Sequence, residues 1–452
     1  MKKLNRISRL LTAFIIVMLL NIILLLLPII FESKKPPETA EGHNYPPDTE
    51  TSSSEISSSF TLPFALAPIF PTKSDDNINF DQSTDITSLG GEDTEEQLKT
   101  VTLCLMGDLM CLAGQQYTAE RRDGTHDYTG SFHLVREFFS SCDFVVGNLE
   151  TTLSESNPYS TKEREVNEQP NCNAPADYLQ SLTWAGITYL VTANNHSLDG
   201  GLTGIEETIA HLDEYGILHT GTYREDYDGA HYMMMEKNGI KIAILSSTEL
   251  INQRALVTQS QLARVIDSYS KKNITNRIAQ AREDGADFVV VYMHWGSENV
   301  HDVRDYQKSH AKEIALAGAD LIIGSHPHCL QEMEYIVTED GRSVPCFYSL
   351  GNVVSSMTRD INHDTVFVKV QLQRADHTED QGDCVEIASL SLLPCHVLAA
   401  LDGQYRVITP LDYKTEDKKA AAELASARTR IEEIFAPHGN TRETEATEIN
   451  FP

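Results

Sequence analysis

Three features of this 452-residue sequence predict an α/β domain. Short apolar runs each end in a polar cluster, helical periodicity fills several of the gaps between them, and residues 365–408 change to strands of an antiparallel type. Strands separated by helices argue for substantial parallel pairing, and such a sheet gathers its functional side chains at the carboxyl ends of its strands.

The chain opens with a basic segment, residues 1–9 (MKKLNRISR), followed by residues 10–30, apolar throughout apart from Thr12 and Asn21. A run of about 20 apolar residues suffices to cross a bilayer as a helix. No small-x-small cleavage site follows, so an uncleaved transmembrane anchor is expected rather than a signal peptide. Lys2, Lys3, Arg6 and Arg9 before the span outnumber Lys34 and Lys35 after it, which puts the N-terminus in the cytoplasm and the rest outside the cell membrane. Residues 31–98 are rich in Pro, Ser, Thr, Asp and Glu, with SSSEISSS at their centre. Such a segment cannot bury enough surface to offset its ordering entropy and reads as a disordered extracellular linker. The apolar patch FTLPFALAPIF within it carries Pro63 and Pro68 and is followed directly by Pro71, and these three prolines argue against a regular helix or a central strand.

The folded part is expected over residues 99–412. VTLCLMGD, CDFVVGNLE, ITYLVTANNH, KIAILSST, ADFVVVYMHW, ADLIIGSHPH and VPCFYSLGN read in turn as buried strands, short and rich in β-branched or aromatic residues. After ANNH, Thr203-x-x-Glu206 reads as a capping box, with Ile205, Ile209 and Leu212 at helical spacing behind it. Further helices are expected over 259–283 and 303–317. TVFVKVQLQ, VEIASLSLLPCHVLA and YRVITP then supply the antiparallel strands. A last helix, about 414–435, falls in a separate C-terminal helix and tail, 413–452.

Charge and cysteine content exclude several classes. With 66 acidic and 36 basic residues the net charge is −30, so non-specific nucleic-acid binding is not expected, and a polyanionic ligand needs a local basic patch or bridging cations. Eight cysteines without C-x-x-C spacing indicate neither a zinc ribbon nor a dense disulfide scaffold, though one or two disulfides remain compatible with an external location.

The chemistry lies at the strand ends. His326-Pro327-His328 follows LIIG directly, so two imidazoles leave a buried strand around a rigid proline. Asp108, Glu150, Asn195 and His294 close other strands, and together these six residues offer nitrogen and oxygen donors for one or two divalent ions of Mn, Fe or Zn type. A carboxylate, Glu150 or Asp108, is the candidate bridge of a two-ion site. His196, next to Asn195, is the candidate proton donor, with Asp199 to orient it, although Asp199-Gly200 also reads as turn chemistry. Asn194, Ser349 and Asn352 are the candidate substrate contacts, and Gly351 reads as a point of close backbone approach. Trp295 reads as a core residue.

The order GDxM, NLE, NNHxxD, HWG, GxHPH and YSLGN over residues 100–355 resembles the CapA capsule-synthesis (poly-γ-glutamate synthesis) family, itself similar to calcineurin-like metallophosphatases. The resemblance implies a four-layer α-β-β-α metallophosphatase-like sandwich with two mixed sheets and a divalent metal site at their edge. It also implies a membrane-anchored extracellular protein concerned with making or exporting poly-γ-glutamate, in company with a membrane synthase complex. Carried over by residue, it makes Asp108, Glu150, Asn195, His294, His326 and His328 the ligands and His196 the proton donor.

The chain departs from the phosphatase pattern in two places. Met110 stands where Asp-x-His would have its imidazole, and Glu150 where an Asp is expected. Ser325 also replaces a His found in many relatives. Two functions follow as expectations: a metal-dependent hydrolase acting on an anionic envelope polymer, or a non-catalytic polyanion-binding export scaffold on the same fold.

Overall fold

A computed structural model describes residues 99–163, 172–375, 384–399 and 406–435. The anchor expected at 10–30 and the linker expected at 31–98 lie outside the described residues, and no helix among those described is long and apolar enough to cross a membrane. Cys104, Cys142, Cys172, Cys329, Cys346 and Cys395 are free thiols.

The first half of the domain holds β1 (Thr100–Leu109), α1 (Ala113–Ala119), α2 (Arg136–Ser140), β2 (Phe144–Leu149), α3 (Asp177–Ala185), β3 (Tyr189–Val191), α4 (Gly201–Glu214) and β4 (Leu218–Thr220). The middle holds β5 (Met233–Lys237), β6 (Ile240–Thr248), α5 (Gln259–Val265), α6 (Lys271–Glu283), β7 (Phe288–His294), α7 (Asp305–Ala317) and β8 (Leu321–Ser325). It closes with β9 (Leu330–Val337), β10 (Ser343–Leu350), β11 (Asn352–Val354), β12 (Asp364–Ala375), β13 (Cys384–Ala399), β14 (Arg406–Pro410) and α8 (Lys418–Phe435).

These strands form two mixed sheets. The first runs β14-β13-β12-β1-β2-β3-β4, with β11 paired to the end of β1, and the second runs β5-β6-β7-β8-β10-β9. Parallel pairing joins β1 through β4 in one sheet and β6 through β8 to β10 in the other. The expected antiparallel strands β12 to β14 complete one side of the first sheet.

Side-chain alternation, with its period of two, sets the layers. Val101, Leu103 and Leu105 of β1 share one core with Ile242 and Ile244 of β6 and Val290 and Tyr292 of β7, so these faces of the two sheets are packed on each other. The intervening Cys104 and Met106 face outward against Phe139 of α2 and Tyr178 and Leu182 of α3. On the second sheet, Leu245, Val291 and Met293 face outward against Ile274 and Ile278 of α6 and Ile314 of α7. The result is a four-layer α-β-β-α sandwich. Tyr292 ties its central layers together, its hydroxyl donating to Val146 O across the sheet interface at 3.0 Å.

Three local expectations need correction. Helix α4 starts at Gly201, with Gly200 as its N-cap and no side-chain cap, so Thr203 sits inside the first turn and no capping box forms there. The expected helix over 259–283 is two helices, because Ile266 is extended (φ −137°, ψ 132°) and Ser270 starts α6 afresh, its side chain accepting from Asn273 N. Helix α8 packs Leu424, Ala427, Ile431 and Phe435 into the inter-sheet core, so residues 418–435 share the core of the preceding domain.

Candidate metal centre

Because β1, β2, β7 and β8 run parallel within their sheets, their carboxyl ends bring the polar clusters together. Register places Asp108 opposite Asn148 on one side and Asn352 on the other, and His294 opposite Ser325. The register of β1 shifts on both flanks around Asp108, a bulge of the kind that re-aims a side chain at a strand end.

Asp108 is fully buried. Its Oδ1 accepts from Asn148 Nδ2 at 2.7 Å, its Oδ2 accepts from His326 N at 3.0 Å, and His328 Nδ1 lies 3.7 Å away. Glu150 is equally buried, yet neither of its carboxylate oxygens has a hydrogen-bond partner. They lie 3.5 Å from His294 Nε2 and 3.8 Å from His328 Nδ1. His294 Nε2 is also 2.9 Å from Asn195 Oδ1, and its Nδ1 is 2.9 Å from Ser325 Oγ. His326 Nδ1 is buried without a partner, and His328 Nδ1 is 2.9 Å from Asn352 Oδ1.

Donor atoms of Glu150, His294 and His326 lie within 4.8 Å of one another, as do those of Asp108, Glu150 and His328. The six expected ligands are therefore in one place. Burying a charge without a partner is expensive, so a carboxylate left bare among imidazoles fits a cation between them. Electrostatics agree with that fit. Burial first, and then the Asp108 charge, push the Glu150 carboxyl well above its usual range; burial also raises Asp108, against the opposing effect of His328. Burial and the neighbouring histidines hold His294 far below the ordinary imidazole range and His326 down to about 3, so both are neutral, the form in which imidazole binds metal.

His196 sits beside this cluster. Its Nδ1 is 2.6 Å from Asp199 Oδ2, the same oxygen that accepts from Cys172 N at 2.7 Å. Burial disfavours the imidazolium, but Cys172 and Asp199 outweigh it and hold the His196 pKa well above the usual value. The side chain keeps 12% exposure, which leaves it a route to solvent.

Asn194, Ser349 and Asn352 are committed elsewhere. Asn194 Nδ2 donates to Leu149 O at 2.8 Å and its Oδ1 accepts from His196 N at 3.1 Å. The Ser349 hydroxyl donates to Cys329 O at 2.7 Å and accepts from Gly351 N at 3.3 Å, closing the turn that Gly351 makes at φ 70°. Asn352 orients His328. All three are at most 1% exposed; Asn352 bonds a ring nitrogen of His328, while Asn194 and Ser349 tie down the backbone around the cluster.

Sequence reading missed Asn148, Cys172 and Glu298. Asn148 is the hub of the site, since its Nδ2 reaches Asp108 and lies 3.3 Å from His294 Nδ1 while its Oδ1 accepts from Asn194. Its position in GNLE, two residues before Glu150 on the same strand face, was the available signal.

A two-sheet sandwich with a buried cluster of carboxylates and imidazoles at the ends of its parallel strands defines the class as an α/β protein with a candidate metal centre. Residues 102–357 match the family described as bacterial capsule synthesis protein PGA_cap, and the chain belongs to that family. It is 29% identical over 320 residues to the capsule biosynthesis protein CapA of Bacillus anthracis, covering 68% of this chain and 73% of that one. It is 29% identical over 244 residues to the PGA biosynthesis protein CapA of Bacillus subtilis (strain 168), covering 54% of this chain and 61% of that one. Among solved structures, the calcineurin-like phosphoesterase YfkN from Bacillus subtilis aligns with a TM-score of 0.39 and 13% identity, over 74% of this chain and 98% of that one.

Proposed function

We propose that this chain is a capsule-synthesis protein whose centre is a metal-dependent hydrolytic site acting on an anionic cell-envelope polymer such as poly-γ-glutamate. The observation that carries the reading is Glu150, fully buried, with both oxygens unpaired and two imidazoles within 4 Å. No hydrogen-bond donor among the described residues pairs with either oxygen, a place that a divalent cation would fill. Asp108, Glu150, Asn195, His294, His326 and His328 hold that cation or pair of cations, with Mn, Fe or Zn as the candidates. When bound, such a cation polarises the scissile group and activates water at neutral pH.

The chain's own residues do the rest. His196, kept protonated and oriented through Nδ1 by Asp199, donates a proton to the leaving group. Asn352 and Ser325 fix the rings of His328 and His294. The anchor at residues 10–30, the external location of the domain and association with a membrane synthase complex belong to the same proposal; the apolar run and its flanking charges support the anchor and the location.

A second reading, a polymer-binding scaffold without turnover, is favoured by Met110 at the place of an imidazole. Metal content of the full-length chain, compared with a His326→Ala/His328→Ala variant after Mn, Zn or Fe supplementation, tests the centre. One to two ions in the parent and a clear loss in the variant are expected; no metal in either would overturn the hydrolytic reading. His196→Ala then separates the two readings. It should keep the metal and lower turnover of γ-glutamyl or phosphodiester substrates about 100-fold or more if the protein is an enzyme, and change nothing in a scaffold.

A further inference from the structure

Glu298 is an exposed carboxylate outside the six residues named above, yet its donor atoms lie within 4.8 Å of those of His326 and His328. Exposed acidic groups near histidines are common, so proximity alone decides nothing. Three further observations do.

The loop that carries Glu298 is fastened to the His326-Pro327-His328 turn on both sides of it. Upstream, Trp295 N donates to Ser325 O at 3.1 Å, and Gly296, at φ 92°, passes so close that a Cβ there would meet Pro327 Cγ at 3.1 Å. Downstream, Asn299 adopts φ 60°, donates its N–H to Pro327 O at 2.8 Å and accepts from Asn362 Nδ2 at 2.8 Å. Glu298 is thus pinned over the two histidines by its neighbours.

The carboxylate itself has no hydrogen bond or ion pair among the described residues, although its loop is ordered by these contacts. The third observation is independent of Glu298: His326 Nδ1 is buried and unpartnered, so the turn offers a donor atom that nothing in the protein uses. His326 and His328 also hold φ values of 96° and 54°. Non-glycine residues persist in that region only where the surroundings over-determine them, and here donor atoms of both rings come within 4.8 Å of each other and of Glu298.

We infer that Glu298 is a metal ligand on the open side of the centre, joining His326 and His328 to hold the outermost cation. The inference rests on the divalent-cation reading above. Buried Glu150 and Asp108 supply the inner charge, and Glu298 supplies an anionic ligand from solvent, where a carboxylate carries no desolvation cost until the ion arrives. An exposed ligand on an anchored loop also makes this ion the more exchangeable one.

The test is Mn2+ binding to the full-length chain after chelator treatment, with free Mn2+ followed by electron paramagnetic resonance, in the parent, Glu298→Gln and Glu298→Asp. Glu236→Gln, which removes an exposed carboxylate from β5, serves as the control. Glu298→Gln should lose one ion or weaken the weakest-bound ion by about fivefold or more, with Glu298→Asp weakened less and the control unchanged. Thermal unfolding of the metal-free Glu298→Gln chain should match the parent, because the side chain bonds to nothing there. If parent and Glu298→Gln bind the same number of ions with affinities closer than about fivefold, the assignment is overturned while the centre stands. If the parent binds no Mn2+, Zn2+ or Fe2+ at all, both fall together.

Discussion

His326 and His328 are held in left-handed backbone geometry around Pro327, with His328 Nδ1 3.7 Å from Asp108 and 3.8 Å from Glu150, and donor atoms of His326 and Glu150 within 4.8 Å of each other. Such strain is retained where function needs a fixed presentation of side chains. It couples to protons through Glu150. With its pKa raised by burial, the Glu150 carboxyl of the metal-free protein holds a proton well above the usual carboxylate range, and a cation must displace it. His294 and His326, both depressed, do not compete in the same window. Metal binding therefore releases a proton, and affinity should rise with pH until Glu150 is ionised without metal. Equilibrium dialysis against Mn2+ should show weaker retention at about pH 5 than at about pH 8; equal retention would mean that Glu150 is not a ligand. At this scale the clustering of donor-type side chains was legible because strand-end His, Asp and Glu are visible in sequence. Glu298 was not, since its role depends on a loop hydrogen bond to Pro327, and Asn352 was assigned to substrate because sequence does not show that His328 occupies its Oδ1.

At the level of elements, the centre exists because parallel strands of both sheets end at one edge and because the turn between β10 and β11 comes within bonding distance of β1. Asp108 N donates to Gly351 O at 3.0 Å, and this contact fixes how far Asp108 stands from Asn352. Gly107 permits it. A Cβ at Gly107 would sit 2.0 Å from Gly351 O and 3.2 Å from Gly351 C, both backbone atoms that cannot step aside. Gly107→Ala should force β1 and the turn apart, lowering stability by about 1–3 kcal/mol and reducing metal occupancy with it. Gly147 on β2 is the comparison, since a Cβ there meets only the side chains of Leu109 and Met106, which can shift. Gly147→Ala should therefore move the denaturant midpoint less, and equal shifts would show that the β1 turn contact is not the constraint. The strands were readable from their β-branched runs. Where sequence failed was at helix starts: the Thr203-x-x-Glu206 pattern fits a capping box, but the backbone turn at Gly200 and Gly201 starts α4 earlier, and nothing local announces that.

Across the whole domain, α8 closes the inter-sheet core from the far end of the chain, and one ion pair joins it to the strand that borders the centre. Arg430 Nε and Nη2 donate to Asp364 Oδ2 and Oδ1 at 2.6 and 2.8 Å, and His396 Nδ1 lies 2.7 Å from Oδ1. Asp364 opens β12 and is fully buried, and its carbonyl oxygen stands 2.6 Å from where a Gly351 Cβ would be. The C-terminal helix thus braces the turn that positions Asn352 and, through it, His328. Removing one partner of a buried pair leaves the other charge stranded, so Arg430→Met should cost about 3 kcal/mol, tempered by the 29% exposure of the Arg430 side chain. Adding Asp364→Asn to it should recover part of the loss, because no charge is then left uncompensated. Thermal unfolding of the two variants beside the parent measures both effects. A single cooperative transition that falls with Arg430→Met and partly returns in the double variant would make residues 418–435 integral to the fold. An unchanged midpoint would make α8 an appendage, the division that a sequence reading places at residue 413, where the strand pattern stops and nothing in the helix itself reveals which core its Leu424, Ile431 and Phe435 face.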